Sequence, residues 1–192
     1  MNLSLTARAL IAAALGAIAV ITPTDAGAVN NGRDVVVDEA RLGKARFNGR
    51  EIDLQKGWGN AKACHVAEDL SVTCYGSERA MDNALGVAHR AGGDYPSSAN
   101  GYASCGSSLR LYSYNYYGSP VLYLTTRWSW TNLSWFGFNN RTSSYRVGGC
   151  SALFRSGSYG GGSTYPGPTW AWARRSTMGW SWDNVLSSTY IY

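Results

Sequence analysis

The chain has 192 residues, 17 Lys and Arg against 12 Asp and Glu, a formal charge of +5, and a 13% share of aromatic residues. That length accommodates one domain with a real core and a small appendage. The positive excess lies in residues 101–192, where seven scattered arginines face one acid, Asp183, and no lysine. This is not the clustered Lys/Arg stripe with interleaved aromatics that reads nucleic acid, so nucleic acid is excluded as a partner; an anionic surface such as a cell wall stays open.

Residues 1–28 carry a basic Arg8, the 13-residue apolar run "ALIAAALGAIAVI" and a small-residue "AGA" at Ala26 to Ala28. The pattern is that of a secretory signal peptide, and the run is short of the roughly 20 residues of a membrane-spanning helix. A secreted, extracellular chain without a membrane span is expected, starting near Val29. Its four cysteines then read as two disulfides. Cys64 and Cys74 flank "HVAEDLSVT", two β-prone runs around a turn, so a bridged hairpin is the economical pairing and leaves Cys105 with Cys150.

"SERAMDNALGVAHR" predicts one short helix capped by Ser77, with Ala80, Met81, Ala84, Leu85 and Ala88 at helical spacing. "GGDYPSSANGYAS" reads as a linker. From Cys105 onward Tyr, Trp, Ser, Thr and Gly dominate, with period-two stretches "LRLYSY" and "VLYLTT". That is an all-β composition. The expected organisation is a signal peptide at 1–28, a small α+β segment with linker at 29–100, and a β domain at 101–192.

Within the β domain a pattern is written twice. "FGFNNRTSSY" and "WSWDNVLSSTY" share aromatic, spacer, aromatic, Asn or Asp, Asn, two free positions and Ser-Ser. Upstream, "YSYNYYGS" and "FRSGSYGG" each place an aromatic, four residues, a Tyr and a Gly; aligned on Tyr112 with Phe154, Ser119 stands where the second copy has Gly161. Twofold repetition of a unit of about 40 residues suggests two similar four-stranded motifs in one sandwich.

The pair Y/F-x4-Y-x-G and N/D-N/D-x-x-S/T-S resembles the βγ-crystallin double Greek key. "CGSSLRLYSYNYYG" with "FNNRTSSYRV" is similar to the secreted actinobacterial metallopeptidase-inhibitor family built on that fold. The resemblance covers residues 105–192 and implies an all-β, βγ-crystallin-type double Greek-key sandwich in which Tyr112, Tyr117, Phe154 and Tyr159 are core and corner residues and a hairpin Gly supplies positive φ. Phe136, Phe138, Trp180 and Trp182 alternate as in a strand with one face inward.

The Ser-Ser corners admit two readings. Ser and Asn side chains bond local backbone and close turns. Alternatively, the resemblance implies calcium: the third motif position lends its carbonyl and the fifth its hydroxyl, with a carbonyl from the other copy's hairpin. Here these are Arg141 and Ser143, then Val185 and Ser187, while Asn139, Asn140, Asp183 and Asn184 shape the loops or add an oxygen. One carboxylate in the set implies weak binding, about 10⁻⁴ to 10⁻³ M.

Catalysis is excluded on composition. Residues 101–192 have no His, Glu or Lys, so acid–base or nucleophile–base pairs cannot be assembled there. His65 and His89 lie upstream in no recognisable motif. What remains is a non-catalytic, monomeric binder with two versions. In one, a rigid β-sandwich fills the cleft of an extracellular peptidase, as the resemblance implies. In the other, exposed aromatics drawn from Trp128, Trp130, Trp170 and Trp172 stack on cell-wall polysaccharide in a lectin-like or antifungal protein.

Overall fold

The computed structural model describes residues 41–87 and 109–192. The signal peptide, Cys105, His89 and the linker reading fall outside them. Strands β1 (Lys44–Phe47), β2 (Arg50–Asp53), β3 (Ala63–Val66) and β4 (Val72–Tyr75) precede helix α1 (Glu78–Leu85). The β region supplies β5 (Leu109–Tyr114), β6 (Gly118–Leu124), β7 (Trp130–Asn132), β8 (Ser144–Arg146), β9 (Ala152–Arg155), β10 (Arg174–Arg175) and β11 (Ser188–Ile191).

Among the described residues these strands form two sheets, ordered β10-β8-β5-β6-β3-β4-β1-β2 and β7-β11-β9. The order reveals an exchange. β7 follows the first hairpin in sequence but pairs with β11 of the second repeat, and β10 follows the second hairpin but pairs with β8 of the first. Each repeat therefore gives its third strand to the other's sheet, the arrangement of a double Greek key.

Period-two alternation explains which faces pack. Leu109, Leu111, Leu122, Leu124, Cys64 and Val66 enter the core, which continues through Phe136, Phe138, Tyr145, Phe154, Trp182 and Ile191. The intervening Tyr112, Val121, Tyr123 and Ala63 face outward and form a second cluster with Met81 of α1. The helix begins where the sequence places it: Ser77 Oγ accepts from Ala80 N at 3.1 Å. It stops at Leu85 because Gly86 takes a left-handed cap conformation.

The composition boundary near residue 100 is not a boundary of the sheet. β3 runs parallel to β6, from Ala63 opposite Val121 to Val66 opposite Leu124, so the N-terminal strands widen the crystallin-type sheet rather than standing apart. Other contacts seal the junction. Trp58 Nε1 donates to Phe136 O at 2.8 Å, and its ring lies 5.4 Å from that of Phe138. Gly137 (φ +62) presses so close to Leu54 that a Cβ there would meet its carbonyl oxygen at 2.1 Å.

The hairpin disulfide Cys64–Cys74 forms as expected, between directly paired residues of β3 and β4. Cys150 is also disulfide-bonded, while its expected partner, Cys105, lies outside the described residues. Trp180 departs from expectation. Neither copy forms the expected strand there: Phe136 closes the 3-10 turn Leu133–Phe136, and residues 180–185 form a turn, so Phe136, Phe138 and Trp182 are buried but Trp180 is 95% exposed.

Candidate functional site

The two Ser-Ser corners meet each other. Asn140 N donates to Leu186 O at 3.0 Å and Asn184 N to Thr142 O at 2.9 Å, a reciprocal pair relating the copies by a pseudo-twofold. Both asparagines take positive φ, 53° and 57°, which Asn tolerates better than most residues. This is the local reason for Asn at the second motif position.

The final serine of each corner fastens its own hairpin. Ser144 Oγ donates to Tyr114 O at 2.7 Å and accepts from Tyr117 N at 3.0 Å. Ser188 Oγ donates to Gly157 O at 2.6 Å and accepts from Gly160 N at 3.0 Å. These bonds set the true alignment of the copies. Tyr117 corresponds to Gly160, Tyr116 to Tyr159 and Gly118 to Gly161, one residue off the alignment read from the sequence. The left-handed positions fall on Tyr116 (57°) and Tyr117 (62°), and on Tyr159 (52°) and Gly160 (78°), while Gly118 and Gly161 are extended. Ser119 is consequently not a departure from the pattern, since the equivalent glycine is Gly118.

Each hairpin is also held by the other copy's third strand or the chain just after it. Tyr159 N donates to Asn132 Oδ1 at 2.7 Å, and Tyr116 N donates to Ser176 O at 2.7 Å. Sequence reasoning missed Asn132; its signal is its position 44 residues before Ser176, the same offset that relates Ser144 to Ser188. Tyr112 and Phe154 are core residues as expected, whereas Tyr159 is 65% exposed and Tyr116 81%.

The fifth-position serines differ. Ser143 Oγ donates to Ser113 O at 3.1 Å, within its own copy, and Arg141 turns its guanidinium back to Gly137 O at 3.0 Å over the Phe138 ring. Ser187 Oγ instead lies 3.1 Å from Asn140 Oδ1 of the first copy and 3.4 Å from Val185 O. Asp183 Oδ2 accepts from Asn184 Nδ2 at 3.2 Å, while its Oδ1 is buried without a hydrogen-bond partner. Asn139 is exposed. Among the described residues no three His, Cys, Asp or Glu side chains gather. The second corner thus offers a hydroxyl, an amide oxygen, a carbonyl and an unpartnered carboxylate oxygen on one loop pair, a donor set suited to a hard cation. In the first corner Ser143 is satisfied within its own copy, and the buried atom without a partner is the neutral Thr142 hydroxyl rather than a carboxylate oxygen.

His65 stands apart from both corners. Its Nε2 is 3.3 Å from Thr125 Oγ1 and its ring 5.2 Å from Tyr123. Burial, then the nearby Arg110 charge, hold it below the ordinary histidine range and so neutral at pH 7.

No protein-family model and no curated protein matches the chain. Solved structures do. A βγ-crystallin from Ciona intestinalis is similar at 22% identity and a TM-score of 0.37, over 44% of this chain and 98% of that one. A clostrillin double mutant in complex with nickel is similar at 18% identity and 0.37, over 44% and 97%. A βγ-crystallin domain from Flavobacterium johnsoniae is similar at 22% identity and 0.37, over 44% and 92%. The fold is all-β, of βγ-crystallin type. Its own topology carries that statement: exchanged third strands, folded hairpins and serine corners occur in both copies of one sandwich, to which a helix and four strands are added.

Proposed function

We propose that the protein is a secreted, non-catalytic inhibitor of extracellular peptidases, with calcium held at the second corner. The observation that carries this reading is the first hairpin. Tyr114 and Tyr116 project from it, 64% and 81% exposed, yet its backbone is fixed by Ser143 and Ser144 at Ser113 O and Tyr114 O and by Ser176 O at Tyr116 N. A convex aromatic tip on a backbone already ordered enters a cleft at little entropic cost and resists the distortion that cleavage requires. Val185 O, Ser187 Oγ, Asn140 Oδ1 and Asp183 would hold the ion, whose charge would tie the two corners together.

An inhibition assay of the mature chain against a thermolysin-type metallopeptidase tests the first part. Tyr116→Asn, which keeps a residue tolerant of positive φ while removing the ring, is expected to weaken inhibition about tenfold or more. No inhibition across a panel of secreted metallopeptidases would sink the reading. Calcium is tested by thermal titration from a chelated start. At tenfold above Kd the ion should add about 1.4 kcal/mol, and Ser187→Ala should remove that increment. A melting temperature indifferent to several millimolar calcium would leave the corners as architecture alone.

A further inference from the structure

The outer faces of the two sheets are related by the internal repeat but differ in chemistry. Across the large sheet, Arg174, Arg146 and Arg110 stand in register on β10, β8 and β5. At the equivalent places on the small sheet stand Trp130, Tyr190 and Leu153, on β7, β11 and β9. Two of these arginines lie beneath other groups, Arg110 pairing with Asp82 and Glu78 of α1 and Arg146 lying 4.0 Å over the Tyr117 ring, while Arg174 at the edge is exposed. The aromatic row is half-buried, with the second hairpin lying against Trp130 at Gly160.

That row continues as a ladder. Trp130 and Tyr190 have ring centroids 5.4 Å apart and inclined at 50°, and Tyr190 and Tyr192 lie 6.3 Å apart at 38°. Trp128, 60% exposed, sits at the same end with its backbone N–H bonded to Ile191 O. The second hairpin packs against the Trp130 indole, since a Cβ on Gly160 would meet its Cε2 at 2.4 Å and only glycine lets the hairpin lie so close. The neighbouring cations are engaged elsewhere, Arg127 with Glu68 at 3.5 Å and Arg155 with Gly162 O at 3.3 Å.

We infer that this ladder is a binding platform for a single chain of a neutral polysaccharide. A row of rings held in place offers large contact area at low ordering cost, and each ring keeps a polar edge, indole N–H or phenol O–H, for ligand hydroxyls. Sugar rings present both an apolar C–H face and a hydroxyl edge, matching the two halves of that demand. Charge complementarity selects a neutral partner: in a chain of +5 the ladder itself is uncharged, whereas an anionic polymer or lipid surface would be drawn to the arginines. The inclination of the rings selects one twisted chain over a crystal face, because rings tilted by 50° and 38° cannot all lie flat on one plane.

This platform is independent of the peptidase reading, and the test separates them. The mature chain is titrated with cellohexaose, chitohexaose and laminarihexaose, followed by tryptophan fluorescence and calorimetry. Binding of at least one is expected. Trp128→Ala and Tyr190→Leu should each weaken it up to about tenfold, the value of one stacked ring, without moving peptidase inhibition. Trp180→Ala, outside the ladder, should leave glycan binding unchanged. Both ladder variants are checked for a native melting transition, so that one reports if the other misfolds. The inference is overturned by no binding to any of the three, by equal loss in Trp180→Ala, by ladder variants that fold yet bind normally, or by retention on crystalline cellulose or chitin powder alone.

Discussion

His65 sits among groups that make its protonation a stability matter. Burial and Arg110 depress its pKa below the ordinary 6.5, and Asp69 opposes this only in part. Between its folded value and 6.5 the unfolded chain binds a proton that the folded chain refuses, so stability falls as pH drops through that window and is fully present above it. Thermal melts at pH 8 and pH 5 should show a larger loss for the wild type than for His65→Gln; equal losses would mean the ring is freely solvated. The arginine beside it is locked differently. Burial works against its charge, but the Asp82 hydrogen bonds and the Glu78 and Asp82 carboxylates hold the Arg110 pKa above its usual value. The pair is bidentate, with Arg110 Nη2 2.6 Å and Nη1 3.2 Å from the two Asp82 oxygens. Arg110→Met should cost about 3–5 kcal/mol by stranding the buried Asp82 carboxylate without this partner, and Arg110→Met with Asp82→Leu should recover much of it. Urea unfolding of both variants decides; a double variant as unstable as the single one would refute the account.

At the scale of elements, local chemistry was legible and pairing across the chain was not. The Cys64–Cys74 hairpin, the Ser77 cap and the strand "LRLYSY" follow from spacing within ten or so residues, and the structure has all three. The alignment of the repeat slipped by one because the first copy carries tyrosines at 112, 114, 116 and 117, so the aromatic spacing fits two frames. Glycine discriminates between them: Gly118 follows Tyr116 at the required distance, at the cost of Leu111 in the first aromatic place. The fifth-position serines were legible as corner residues, but Asn140 beside Ser187 was not, because that contact depends on where the other copy lies. The parallel pairing of β3 with β6 has no local signature either. Both are apolar strands of period two, and any open edge would satisfy their backbone groups.

At the scale of the whole molecule, that pairing makes the N-terminal strands part of the sandwich. Val121 N donates to Lys62 O at 3.0 Å and Thr125 N to Val66 O at 3.0 Å, with further bonds from the Thr125 and Thr126 hydroxyls. A 101–192 fragment would bare this edge together with the Phe136 and Phe138 surface beneath Leu54 and Trp58. It should melt well below the mature chain and self-associate through β6, as sedimentation at rising concentration would show. A monomeric fragment with an unchanged melting temperature would contradict this.

The exchange of β7 and β10 also decides what a single backbone cut can do. A nick between β8 and β9 would leave the leading piece holding β7 in the small sheet and the trailing piece holding β10 in the large one. Neither could leave without drawing a strand out of the other's sheet, so the halves are interlocked lobes rather than beads on a string. With the Cys150 disulfide reduced, the nicked protein should still travel as one particle on a sizing column under native conditions and divide only on denaturation. For a protein proposed to work among peptidases, damage at that joint would then go unexpressed in its shape.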